Sequence, residues 1–344
     1  GRKGRVLQFN SSECKVSGYG YVGGLIGHNF GTIINCSVTG YVSGTDSYIG
    51  GLIGRNLGTV SHCQTSTNVS GINYVHYNLG GLVGENKNIV ENCFAIGNVS
   101  GYRSVGGLIG QNTNGNMKNC YAIGNVYGYH SVGGLIGGNS YGNVKNCHTT
   151  GNVTGDEYVG GLVGIQFHGE VENCFAIGGV TGNDRVGGLV GDLSQGKLLY
   201  SYATGSVTGG FSIGGLVGKN EYGNVENCYA IGSATGIEMV GGLVGEHFGG
   251  EAQYCYAIGP VSGSTSVGGL IGDTPFGGVE NCFWNVKTTG QTDSDGGTGK
   301  TTAMMMNKNT YTDAGWDLTE VWVIGNEKTY PHLRSIYSEP VILT

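Results

Sequence analysis

Apolar residues in this chain fall in short packets bounded by glycine, and the packets recur at a fixed interval. One unit reads Ile213-Gly-Gly-Leu-Val-Gly218, a four-residue loop, Gly223-Asn-Val-Glu-Asn-Cys-Tyr-Ala-Ile-Gly232, Ser233-Ala-Thr-Gly236 and three variable residues before Val240. Each packet is four to six residues long and rich in Val, Ile and Tyr. That is a strand signal, and no packet is long enough to show a helical period. The pentapeptide Gly-Gly-Leu-Val-Gly, or its Ile variant, marks the interval. Its first glycines are Gly23, Gly50, Gly80, Gly106, Gly133, Gly160, Gly187, Gly214, Gly241 and Gly268, spaced by 27, 30 and 26 and then by 27 six times. A fixed period in this range signals a repeat architecture.

Three short strands and three turns per 27 residues predict one coil of a parallel β-solenoid. The expected fold is all-β: a right-handed parallel β-helix of about ten coils stacked ~4.8 Å apart, giving a rod on the order of 50 Å long. Glycine is expected wherever the chain turns through positive φ. Gly40, Gly97, Gly124, Gly151, Gly178, Gly205, Gly232 and Gly259 form one such column, and Gly44 through Gly263 form another. Asn-Cys pairs recur at Asn35-Cys36, Asn92-Cys93, Asn119-Cys120, Asn146-Cys147, Asn173-Cys174, Asn227-Cys228 and Asn281-Cys282. Asn tolerates a left-handed corner, and its amide can bond the next Asn one coil away.

Three segments follow. Residues 1–21 are expected to be a degraded first coil, with Cys14 in the cysteine column. Residues 22–283 hold the repeats. Residues 284–344 are non-repeating, with all three tryptophans, Trp284, Trp316 and Trp322. They are expected to cap the open edge of the last coil, with a helical turn or two in Thr301–Asn307 and a strand at Val321–Ile324.

The pairing of Gly-Gly-Leu-Val-Gly with Asn-Cys-aromatic-Ala resembles the GLUG-motif repeat family, over roughly Val22 to Phe283. The resemblance implies a scaffold or adhesion module of large bacterial surface or secreted proteins. Some such regions lie beside metallopeptidase domains, but the His-Glu-x-x-His of a zinc peptidase is not in this sequence.

Composition narrows the partners. Glycine supplies 71 of 344 residues and proline 4, and charged residues are 12%, about half the usual ~25%. A net charge of -7 offers no basic stripe to a nucleic-acid backbone. No apolar run approaches the ~20 residues of a membrane span. The missing initiator Met suggests a processed or excised chain.

Candidate chemistry is sparse. The cysteines keep step with the coil and contain no C-x-x-C, so they read as a ladder of buried free thiols. The residue after each cysteine position builds an aromatic column: Phe94, Tyr121, His148, Phe175, Tyr202, Tyr229, Tyr256 and Phe283. If Cys and Ala point inward, these rings point outward and offer a ridge to a sugar or a partner surface; with the opposite parity the rings are core and the ridge disappears. Four extra residues between Gly71 and Gly80 bring Tyr74, His76 and Tyr77, a candidate binding bump. The position after each pentapeptide holds Glu85, Asp192, Glu246 and Asp273 among unlike residues. Glu246 and Asp273, one coil apart, could serve acid–base chemistry on a glycan, but a chemically mixed column argues against it. Asp293-Ser-Asp295 is too short for a calcium loop. Glycine density alone produces serine-elbow, dinucleotide and phosphate-loop look-alikes. No cofactor or metal is expected.

The expectation is a non-enzymatic structural or adhesive solenoid at the bacterial cell surface or outside the cell. It would self-associate into fibres, or bind a glycan or cell-surface partner, and need neither nucleic acid nor a membrane span. A polysaccharide-binding or polysaccharide-cleaving β-helix is the alternative.

Overall fold

A computed structural model describes residues 4–71, 77–325 and 327–335. It is a parallel β-solenoid of about ten coils, about 27 residues per turn, and only 4% helical. Each coil visits three sheets. In a central coil the third sheet takes Arg103–Gly106, the first takes Ile109–Thr113 and Asn116–Lys118, and the second takes Tyr121–Ala122 and Val126–Tyr127. The packets expected as three strands are therefore split by bends into five short ones. The third sheet has ten strands, one for each copy of the pentapeptide. Stacking is in register: Gly106 pairs with Gly80 on one side and Gly133 on the other. The four-residue insertion does not disturb this, because Leu79 still pairs with both Ile49 and Val105.

In-register stacking explains the glycines, though not as expected. Of the two glycine columns, only Gly40 lies in the left-handed region (φ +128°). The rest are required by close approach. A Cβ on Gly124 would meet the Gly97 carbonyl oxygen at 2.0 Å, and one on Gly128 would meet the Val132 side chain at 2.6 Å. Non-glycine corner residues turn through positive φ instead: Asn35, Asn92, Asn119, Asn146, Asn173, Asn227 and Asn281 all lie at 52–54°. The expected outer Asn ladder is present there. Asn119 Nδ2 donates to Asn92 Oδ1 at 3.0 Å, Asn146 to Asn119 at 3.1 Å, and Asn173 to Asn146 at 3.3 Å.

The interior holds two apolar columns. One gathers Leu108, Ile109, Val90, Cys93 and Ala95 with their equivalents; the other is Val99 and Val105 with theirs. Burial of these side chains drives coil stacking, at about 25 cal/mol per Å² removed from water.

The first coil corrects an expectation. Arg5–Leu7 pairs with Thr32–Ile34, and Asn10 pairs with Ser37. That register puts Phe9 in the cysteine column. A bulge between Ser11 and Cys14 shifts the chain, and Cys14 pairs with Gly40 instead.

The C-terminal region does two things. Trp284 covers Gly269 in the last coil, where an added Cβ would lie 2.1 Å from the indole. Ser294 Oγ accepts the backbone N–H groups of Leu270 and Ile271 at 3.1 and 2.9 Å. Thr298–Lys300 pairs with Phe283–Asn285 and extends the second sheet. The chain then folds back along the flank of the rod. Short helices at Thr302–Met305, capped by the Thr301 side chain, and Lys308–Thr312 lead to Trp322–Val323, antiparallel to His332–Leu333. The expected end cap is thus also a side cover.

Candidate functional site

Of the two parities open to the aromatic column, the structure shows the outward one. Cys93 and Ala95 are buried in the core, and the rings between them and their equivalents point outward. From Phe94 to Tyr256 they form one continuous stack. Centroid separations are 4.7 Å for Phe94–Tyr121, 5.1 Å for Tyr121–His148, 4.8 Å for His148–Phe175 and 5.1 Å for Phe175–Tyr202. Tyr202–Tyr229 and Tyr229–Tyr256 follow at 4.8 and 5.0 Å. Interplanar angles are 2–11°. Each ring face is therefore spent on its neighbours, and the edges point away from the rod.

The column has two halves. Phe94, Tyr121, His148 and Phe175 are half-buried, and the Ile96, Ile123 and Ile177 beside them are exposed. Tyr202, Tyr229, Tyr256 and Phe283 are buried in a cluster with Met305, Tyr311, Trp316, Trp322, Tyr330 and Leu333. Trp322 leans over Tyr229 and Tyr256 at 50° and 53°, with centroids 6.1 and 6.0 Å away. Its Nε1–H donates to Asn227 Oδ1 at 3.0 Å. Trp316 Nε1–H donates to the Asn281 carbonyl at 2.9 Å, and the Tyr256 hydroxyl donates to the Pro331 carbonyl at 2.6 Å. The predicted surface residues Tyr202, Tyr229 and Tyr256 are therefore covered, because the flank on which they lie is occupied by residues 302–325 and 327–335. Burial pushes the His148 imidazole below its usual range, favouring the neutral ring.

Of the insertion, Tyr74 and His76 lie outside the described residues. Only the backbone of Tyr77 is described, opening the strand Tyr77–Gly80.

The acidic column is largely engaged by neighbours. Arg55 lies 2.6 Å from Glu85, Lys219 3.4 Å from Glu246, and Arg185 3.1 Å from Asp192. Asp192 is buried, and burial raises its carboxyl to about 6 against the pull of Arg185. Asp273 pairs with Glu246 in register. Its carboxyl is raised by burial first, then by repulsion from Asp295 and Glu246. Among the described residues no three His, Cys, Asp or Glu side chains converge as metal ligands.

The thiol ladder does more than fill space. Cys147 Sγ accepts the Cys120 backbone N–H at 3.4 Å and donates to the Lys145 carbonyl at 3.2 Å. The pattern recurs along the column and explains Ser201, whose Oγ accepts from Cys174 N at 3.0 Å and donates to Leu199 O at 2.7 Å. The column requires a small donor–acceptor, a condition that sulfur and oxygen both meet.

Sequence reasoning missed a buried amide ladder. Asn29, Asn56, Asn86, Asn112 and Asn139 each donate to the next, ending on Gln166, across five 2.7 Å bonds. All are buried. Each Asn also closes its own turn, as in Asn56 Nδ2 to Gly58 O at 3.0 Å and Asn112 Nδ2 to Gly115 O at 2.9 Å. The later turns hold one extra residue in the left-handed region, such as Asn114, Tyr141 and His168. The signal was the recurring amide two residues after the pentapeptide, next to the acidic column that drew attention.

The model of the GLUG motif matches residues 18–43, 101–127, 128–154, 155–181 and 209–235. No curated protein and no solved structure matches the chain.

Proposed function

From a GLUG-motif repeat β-solenoid, we propose a non-enzymatic, extracellular structural and adhesive role in a bacterial surface or secreted protein. The chain would act either in fibres or as one segment of a larger surface protein. One observation carries the reading: the repeated residues are consumed in holding coil to coil, while the outer columns vary. Along the third sheet, Arg103, His130, Glu157, Asp184, Phe211 and Glu238 stand in register, so a guanidinium, an imidazole, three carboxylates and an aromatic ring share one frame. Such a rim suits recognition spread over several coils better than chemistry at one point.

Display of the chain on a non-adherent bacterium tests the reading. Adherence to host or neighbouring cells is expected to rise, and to fall when Arg103, Glu157 and Asp184 are replaced by Ser. No rise on any surface would sink it. Polysaccharide binding by the aromatic column is the weaker alternative, because sugars stack on ring faces and these faces meet one another. Retention on insoluble polysaccharide, lost in Tyr121→Ala/Phe175→Ala, would reverse that order. Reducing-sugar release lost in Glu246→Gln would overturn the non-enzymatic reading.

A further inference from the structure

We propose that the uncovered half of the aromatic ladder is a docking groove for a tryptophan-bearing segment of another polypeptide, seated as Trp316–Leu333 is seated on the covered half. The groove is formed by Phe94, Tyr121, His148 and Phe175 along the exposed flank of Ile96, Ile123 and Ile177.

The covered half is an interface already made, and the solenoid continues it. Four coils toward the N-terminus, Tyr229 becomes Tyr121, Tyr256 becomes His148, and Asn227 becomes Asn119. The strands carrying these residues stack in register throughout. The isoleucine column shows what changes. Ile231 and Ile258 are partly buried against the cover, whereas Ile123 and Ile177 are 44% and 48% exposed. Interrupted only at Thr150, this exposed apolar flank has the character of an interaction surface.

The chemistry of the occupant follows from the cover. Because the rings stack face to face, the groove presents their electropositive edges. The complement is an aromatic face laid at a tilt, which is how Trp322 lies on Tyr229 and Tyr256. Trp also brings an N–H donor. Asn227 Oδ1 takes it on the covered half. Asn119 Oδ1 accepts one bond from Asn146 and keeps a second lone pair for the equivalent donor. A neutral His148 has one ring N–H to take the part of the Tyr256 hydroxyl, which bonds a carbonyl of the cover.

A fluorescent synthetic peptide with the sequence of residues 314–335 is titrated onto the full chain, and binding is read by anisotropy. Saturable binding is expected, about tenfold weaker with Tyr121→Ser/Phe175→Ser, as for a hot-spot loss. Ile123→Lys alters only the exposed flank, leaves the stack intact, and should weaken binding as much. Tyr222→Ser, in the bend between two strands of the first sheet, should change nothing. No binding, or binding indifferent to the groove variants, overturns the proposal. Binding that strengthens on removal of residues 336–344 assigns the groove to this chain's own tail and overturns it too. So does a concentration-dependent dimer that Ile123→Lys abolishes, which would make the occupant a second copy.

Discussion

The two halves of the rod share their wall but are secured differently. In the N-terminal coils an amide ladder runs through the interior from Asn29 to Gln166, and the outer aromatic stack is uncovered from Phe94 to Phe175. In the C-terminal coils Leu193 breaks the amide ladder, which resumes only as the Asn220–His247 bond at 2.9 Å. There the aromatic stack is buried under Trp316, Trp322 and Tyr330. The change falls in one coil, Gly187–Ile213. That coil puts Leu193 for the amide, Tyr200 for the corner Asn and Ser201 for the cysteine. Polar bonds inside and aromatic burial outside thus act as alternative ways of locking coils in register. Where the outer face is unavailable to a partner, its apolar contacts carry the stability. Where it is open, the interior holds register by hydrogen bonds, which a one-residue slip would break.

The strongest test removes the centre of the cover. Trp322→Ala deletes a fully buried indole and its bond to Asn227, and should cost about 3–5 kcal/mol in urea unfolding. The matching change on the open half, Phe94→Ala, should cost about 1–2 kcal/mol, because the ring is only half-buried. Equal costs would erase the distinction between the halves.

Next comes the inner ladder. Asn112→Ala leaves the amide groups of Asn86 and Asn139 without their partner, with an expected cost of about 2–4 kcal/mol. Hydrogen exchange should show the N-terminal coils opening before the C-terminal ones. Uniform opening would mean that the amides do not set register locally.

These contrasts mark how far the sequence could be read. The coil, the outer Asn corner, the thiol column and the aromatic column were legible, because each is one position repeated in register; the parity of the rings was not, because periodicity alone does not say which face is inside. The cover was not. Residues 302–335 repeat nothing, and their contacts span long separations: Tyr256 meets Pro331 75 residues on, and Asn227 meets Trp322 95 residues on. Local pattern carries no information at that range. Glycine was read correctly by position and wrongly by cause, because composition does not distinguish a left-handed turn from a passing carbonyl 2.1 Å from a would-be Cβ. Cys14 misled because a bulge breaks the count from the cysteine column.

The seam coil has its own pH signature. The folded state raises Asp192 to about 6, above its ordinary 3.8. Between these values the folded chain holds a proton that the unfolded chain has released. Stability therefore falls as pH rises from about 4 to about 6, by on the order of 3 kcal/mol. Asp192→Asn should flatten that slope in urea midpoints taken across the window. A slope that survives the substitution would place the titration elsewhere.

The smallest effect is expected in the column that both halves share. Cys147→Ser should change stability by less than about 1 kcal/mol, because a hydroxyl can both accept from Cys120 N and donate to Lys145 O, as Ser201 does in its own coil. Cys147→Ala removes the γ atom altogether and accepts nothing. It leaves the Cys120 N–H unpaired in the core, at about 1–3 kcal/mol. Serine should thus be milder than alanine in urea unfolding, the reverse of the order for a thiol that only fills space. The same order at Cys255, beneath the covered half, would show that the thiol ladder is indifferent to what lies on the outer face. A reversal at either site would return the cysteines to the role of small hydrophobes and leave Ser201 without its physical explanation.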